Sequence, residues 1–427
     1  MTRKVELKRE LGLLEITLSG VGIILGAGIY ALIGKATGLA GNAVWLSFAF
    51  AAFVAVFTGL SYAELSSMFP KASAEYEYTK SAFNKKLAFI IGWLIIFSGI
   101  IGASTVALGF GGYFGALFKV PVLTSAFVLI VILSLLLFYG IKESAWFAII
   151  STLIECAGLI IIIFIGLPYL GKVDYFEMPQ GLTGVFQASA LVFFAYTGFE
   201  SIVKLSEETK LPEKTIPKGL LLAVLISIIL YILVAISAVS VMGWEKLGSS
   251  DAPFADIAFS AFGSRAYILL TVVALFATAN TVLLMMLGSS RIIYGMADSS
   301  ILPGILARVH TSRRTPWIAI IIMMLLSLLF IFAGEIAFVA NVANFTLFIT
   351  FFVINAAMIV LRYKEPQAPR SFRVPFAIGK LPLMPLFGLV FCIFMLFQLE
   401  WKVILTGTLL IVTGGIFYLV ITKNHEA

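Results

Sequence analysis

The stretch Gly20-Val21-Gly22-Ile23-Ile24-Leu25-Gly26-Ala27-Gly28 lies in an apolar run long enough to cross a membrane, yet four of its nine residues are glycine. Each glycine costs a helix interior about 1 kcal/mol against alanine, so an unbroken helix is expensive and the backbone is predicted to open near Ile24 to Gly28. In lipid an opened backbone persists only where protein or a water-filled cavity satisfies its N–H and C=O groups. Such a place can bind a solute. A second weak point, Phe193-Phe194-Ala195-Tyr196-Thr197-Gly198-Phe199-Glu200, follows about 170 residues later. Paired interruptions in corresponding halves of a chain point to a transporter's binding site.

The class follows from composition. Of 427 residues, 61% are hydrophobic and 12% charged, against about 25% charged in soluble domains. This predicts an all-α polytopic membrane protein in contact with lipid. Cys156 and Cys392 fall in apolar runs and read as buried thiols without a disulfide framework. His310 and His425 lie in polar segments and no cluster has metal-ligand spacing, so neither a metal nor a cofactor is expected. The first twelve residues have no short apolar core and no small-residue cleavage pattern, so no removable signal peptide is expected. The net charge of +7 is read as membrane orientation, not as a nucleic-acid partner.

A span needs about 20 apolar residues to cross roughly 30 Å of hydrocarbon. Twelve are predicted, near 13–38, 42–69, 87–118, 121–140, 145–170, 184–208, 217–243, 265–297, 316–334, 337–361, 381–398 and 402–422. With this division 23 of the 29 Lys and Arg residues fall on one side, which puts both termini in the cytoplasm. An odd number of spans separates corresponding points of the two breaks, so the second five-helix block enters the membrane inverted relative to the first. The expected organisation is an inverted-repeat core, 1–361, followed by a connector containing Pro366, Pro369 and Pro375 and two peripheral spans, 362–427. The longest outer loop, about 243–264, is predicted to form a short surface helix.

Four stretches in order, GVGIILGAGIYALIG, YAELSSMFPKASAEYEY, FFAYTGFESIVKLSEETKLPEKTIP and ANTVLLMMLGSSRIIYGMADSSILP, carry a resemblance to the amino acid-polyamine-organocation transporter superfamily. The chain is most similar to prokaryotic amino acid permeases and the animal cationic-type relatives. The resemblance implies about 12 helices in a five-plus-five inverted repeat with discontinuous helices 1 and 6 (the LeuT-like fold), alternating access, and a small-molecule amino acid substrate.

The chemistry of the breaks suits that substrate. N–H groups of Gly26, Ala27 and Gly28, at the positive end of the resumed helix, suit a carboxylate. Carbonyls of Ile23 and Ile24, with Phe194, Ala195 and Thr197 in the sixth span, suit an ammonium. The competing reading is that the glycines only allow tight helix packing. Phe194 is similar in place to an aromatic that covers the substrate in related transporters, with core or lipid packing as the alternative. Tyr30, Ser98, Thr105, Asn341, Asn344 and Thr346 are polar enough to line a pathway, or else bond locally. Asn344-Phe345-Thr346 matches a glycosylation acceptor but lies within a span and is discounted.

Glu155 is the acidic residue placed deepest in a span, where an ionised group costs on the order of 3 kcal/mol or more. Several proton-coupled relatives carry a lysine at what looks like this position; this chain has glutamate. Family architecture sets its helix against the first and eighth, near Asn280 and Thr281, which implies a coupling role for the three, with a proton as the coupling ion and sodium as the alternative. Glu64 and Glu207, with Arg9, Lys204 or Arg291, read either as inner-gate ion pairs or as ordinary interfacial pairs.

The reading is a secondary transporter that imports amino acids across the cell membrane. The competing class is a non-transporting amino acid sensor, or a partner-dependent subunit, of the same fold. No nucleophile–His pair, nucleotide loop or metal cluster supports an enzyme. Few buried acidic residues near the breaks favour a small or apolar neutral amino acid. The sequence carries no signal for oligomeric state.

Overall fold

The structure is a computed structural model that describes residues 11–70, 74–139, 141–298, 301–333 and 335–426, with the side chains of 141–146, 148–149, 207 and 422–426 left aside. Sixteen α-helices make up nearly all of it. They are α1 (Leu13–Ile24), α2 (Gly28–Ala40), α3 (Val44–Met68), α4 (Ala74–Ala82), α5 (Lys85–Phe118), α6 (Val122–Tyr139), α7 (Ile141–Gly166) and α8 (Gly181–Val192). The second half holds α9 (Pro212–Met242), α10 (Trp244–Gly248), α11 (Pro253–Phe262), α12 (Ser264–Asp298), α13 (Trp317–Ile331), α14 (Ile336–Lys364), α15 (Leu383–Phe397) and α16 (Trp401–Glu426). A two-stranded hairpin, β1 (Ala377–Ile378) with β2 (Leu381–Pro382), interrupts the connector before α15.

Nine helical stretches among the described residues are long and apolar enough to cross a membrane. One of them, Gly28–Met68, joins the end of the first expected span to the second through a turn in which Gly41 takes φ +69°. With the shorter apolar helices Leu13–Ile24, Trp317–Ile331 and Leu383–Phe397, each of the twelve expected spans has its helix. The outer loop forms two short helices, α10 and α11, where one was expected.

The packing is a pseudo-twofold. The counterparts α3 and α9 pack on each other, as do α5 and α12, and α6 and α13. Exchanging the halves also turns the α5–α14 contact into α12–α7, and the α5–α13 contact into α12–α6. Even the small α4, which lies on α5 and α14, has its equivalent in α11 on α12 and α7. Helices α15 and α16 lie against α3, α5, α8 and α14 and have no counterpart in this exchange.

Candidate functional site

Both breaks form where glycine weakens the helix. Helix α1 stops at Ile24, Leu25–Ala27 form an irregular turn, and α2 resumes at Gly28. In the sixth span α8 stops at Val192; a 3₁₀ turn covers Phe193–Tyr196, Thr197 is extended, Gly198 takes φ +111°, and a second 3₁₀ segment runs from Phe199 to Glu208. A side chain strongly disfavours that Gly198 dihedral. Here 3₁₀ geometry replaces the α-helix that an apolar run alone would predict, so the backbone stays wound tightly as far as Glu208.

The two breaks touch. A Cβ on Gly28 would lie 2.6 Å from Ala195 Cα, and one on Gly198 would lie 2.9 Å from the Ile23 carbonyl oxygen. Each break therefore presents a glycine to the backbone of the other. Ile24, Leu25, Ala27, Phe194 and Ala195 are all buried, while Ile23, Gly26, Thr197 and Gly198 keep part of their surface.

Protein groups satisfy much of the opened backbone, as a low-dielectric interior demands. Ala27 N–H donates to Thr281 Oγ1 at 2.8 Å. The Phe194 carbonyl accepts the Thr197 hydroxyl at 2.8 Å and the Thr197 N–H at 3.3 Å. Asn344, from α14, donates through Nδ2 to the Ala190 and Leu191 carbonyls at 2.7 and 3.1 Å, capping the broken end of α8. The Tyr231 hydroxyl of α9 reaches both halves, with Ile24 O at 2.6 Å and Ala195 O at 2.8 Å. Of the groups the sequence nominated for substrate, the Ala27 amide and the Ile24, Phe194 and Ala195 carbonyls thus already have protein partners.

Glu155 lies next to this junction. It is 1% exposed, and neither carboxyl oxygen meets a hydrogen-bonding partner among the described residues. Asn280 of α12 faces it. Asn280 Nδ2 donates to Thr152 Oγ1 at 3.1 Å, and Asn280 Oδ1 also has no partner among the described residues. Tyr30 of α2 donates to the Glu155 backbone carbonyl at 2.7 Å. A Cβ on Gly22 would meet Thr152 Cγ2 at 2.8 Å. Helix α7 is therefore in contact with both halves of the first span and with α12, so the nominated trio of Glu155, Asn280 and Thr281 lies around one break.

The remaining polar candidates divide. Thr105 and Thr346 bond carbonyls of their own helices. Asn341 lines a polar crevice of about 290 Å³ with Glu335, Glu400 and Lys402. Asn344 and Thr346 are wholly buried, which removes the glycosylation motif from reach.

The expected inner-gate pairing changes. Glu64 is not partnered by Lys204 or Arg291. It binds the guanidinium groups of Arg362 and Arg370, and its Oε2 accepts the Val374 N–H at 2.7 Å. Both arginines come from the end of α14 and the connector, about 300 residues away in sequence, and their planar forks match a carboxylate. Arg9 and the Glu207 side chain lie outside the described residues. At the same end Leu11 N–H donates to Glu208 O at 3.1 Å and Lys210 N–H to Leu11 O at 2.9 Å. That short parallel bridge joins the start of the first span to the end of the sixth.

Sequence reasoning missed Tyr231 and underweighted Asn344. Tyr231 had a signal: tyrosines of membrane proteins gather at the two interfaces, and this one sits midway along the 31-residue α9.

Two broken helices crossing inside an inverted repeat define a membrane transporter, and the comparisons agree. A family description, Amino acid permease, matches residues 11–422. The chain is 32% identical to the branched-chain amino acid permease BcaP of Bacillus subtilis (strain 168), over 98% of this chain and 94% of that protein. It is 30% identical to the methylthioribose transporter of the same organism, over 100% and 96%. Cationic amino acid transporter 4, vacuolar, of Arabidopsis thaliana is 31% identical over 85% of this chain and 64% of its own length. The chain belongs to the amino acid permease family; it is a multi-pass transporter and not an enzyme.

Proposed function

We propose that the protein imports a small neutral amino acid across the cytoplasmic membrane by alternating access, driven by protons. The observation that carries this reading is the junction itself: two opened backbones in contact, beside a buried carboxyl without a protein partner. The substrate's carboxylate goes to the amides of Gly26, Ala27 and Gly28, where helix α2 begins and its dipole is positive. Its ammonium goes to the carbonyls of Ile23, Ile24, Phe194, Ala195 and Thr197, and Phe194 covers it. The relative named for branched-chain amino acids supports a neutral amino acid, and the one named for cationic amino acids makes a charged substrate the alternative that the uptake assay separates.

Glu155 carries the coupling proton. The Glu155 carboxyl lies beside Asn280, whose Nδ2 gives one of its two N–H groups to Thr152 and whose Oδ1 has no partner among the described residues. A proton on the carboxyl makes it neutral and gives it an O–H for a neighbouring acceptor such as Asn280 Oδ1; its loss leaves a charge buried in the span, an expensive state at this depth. That difference gives the proton a preference between conformations, which coupling requires. In this scheme residues 1–361 are the transport core, α15 and α16 are peripheral, both termini are cytoplasmic, and the protein acts in the cell membrane.

The test is uptake of labelled amino acids, and of methylthioribose, into liposomes containing only the purified protein. Concentrative uptake under an inward proton gradient is expected. Binding without flux would overturn it in favour of a sensor.

A further inference from the structure

The Tyr231 hydroxyl is 0% exposed and lies on two carbonyls at once, Ile24 O and Ala195 O, one from each broken helix. Ile24 ends α1, so its C=O is among those that a helix end leaves without an intrahelical donor. Ala195 belongs to a 3₁₀ turn that gives way to extended backbone at Thr197. A phenol has a single proton to give. Shared between two oxygens, it leaves both incompletely satisfied.

The ring cannot swing away to favour one of them. It packs against Phe48 and Tyr196, with centroids 5.8 and 5.2 Å away. Tyr196 is itself anchored through its hydroxyl to Phe48 O at 3.0 Å. The hydroxyl position is therefore set by an aromatic cluster spanning α3, the sixth-span break and α9.

We propose that Tyr231 is a positioning residue that holds the two breaks together by lending its proton to the carbonyls the substrate ammonium uses. This rests on the amino acid reading of the site. An ammonium brings three N–H donors to oxygens that share one, so substrate and tyrosine donate to the same two carbonyls, and the less one supplies the more the other is needed. Tyr231 thereby sets how strongly the site values an ammonium group. Without its hydroxyl the two carbonyls lack that donor, and a ligand carrying an ammonium gains relative to one that does not.

The experiment compares leucine with isocaproate, which keeps the carboxylate and the side chain but lacks the amine, as competitors for binding to purified protein in nanodiscs. Should another amino acid bind better, that amino acid and its des-amino acid replace the pair. In Tyr231→Phe the preference for the amino acid over its des-amino partner is expected to rise about tenfold, the scale of one hydrogen bond to a charged group. Site-specific replacement of Tyr231 by a fluorotyrosine, a stronger donor of the same shape, is expected to lower that preference and serves if the phenylalanine variant is lost in purification. Tyr113→Phe removes a buried hydroxyl that bonds Tyr30 O and the Phe254 N–H, outside both breaks, and is expected to leave the preference unchanged.

A purely structural tyrosine would shift both ligands equally. An unchanged or reduced preference in Tyr231→Phe, or an equal rise in Tyr113→Phe, overturns the inference. If the wild-type protein binds no amino acid, the reading of the site fails first and the inference falls with it.

Discussion

Gly28 and Ala195 meet backbone to backbone, with 2.6 Å between the place of a Gly28 Cβ and Ala195 Cα. Neither main chain can give way, so Gly28→Ala is expected to separate the breaks, abolish uptake and lower the melting temperature. Gly26 faces a side chain, with its Cβ position 3.1 Å from Thr281 Oγ1. Gly26→Ala is expected to keep the fold and weaken substrate affinity as Thr281 shifts. Melting curves and liposome uptake on the two variants check this order; equal behaviour would contradict it.

Thr281 supplies the acceptor for the Ala27 N–H. Thr281→Val keeps the shape and leaves that buried amide without the hydroxyl, at about 1–3 kcal/mol. Thermal stability is expected to fall, and saturating substrate to recover more of it than in the wild type, because the substrate carboxylate takes over the amide. Thr281→Ser should restore both. Melting with and without ligand provides the measurement, and a loss that ligand does not narrow would place the amide outside the binding site.

Much of this architecture was legible in the sequence because membranes impose simple lengths. Spans follow from apolar runs, and the breaks from glycine in a run that should have been helical. What meets across the fold was harder to see. Tyr231 and Ile24 are 207 positions apart, and nothing local to either records the bond. The partners of Glu64 were misread because surface-type residues such as Arg362 and Arg370 look solvated in sequence, yet the connector folds back and buries Arg370 against Glu64, leaving the side chains 1% and 0% exposed. Glu155 was visible as a lone acid in an apolar run, but its neighbour Asn280 required the packing of α7 on α12.

That buried cluster should be fragile. Glu64→Ala leaves the cationic groups of Arg362 and Arg370 without their shared carboxylate and also frees the Val374 N–H. Removing one partner of a buried pair typically costs about 3–5 kcal/mol, so a marked loss of folded protein is expected in detergent size-exclusion profiles. Glu64→Asp is expected to lose less, since it keeps the charge and shortens its reach. Wild-type yield and melting of Glu64→Ala would show the cluster to be dispensable.

In the proposed cycle Glu155 carries the coupling proton. Replacing it by glutamine fixes the protonated shape: the new amide can donate to Asn280 Oδ1 as the protonated carboxyl would, and it can never release a proton. Binding and the exchange of internal for external amino acid need no net proton movement, so Glu155→Gln is expected to retain them within about threefold, well below the 1.4 kcal/mol that a tenfold change represents. Uptake driven by an inward proton gradient needs the proton to leave on the inner side, and that variant is expected to lose it. Proteoliposomes preloaded with substrate read the first property, and those with an imposed pH difference read the second. Full pH-driven accumulation by Glu155→Gln would remove the proton from Glu155. Accumulation in the wild type that follows a sodium gradient would instead make Glu155 and Asn280 ligands of a sodium site, because a carboxylate and an amide oxygen suit a hard cation.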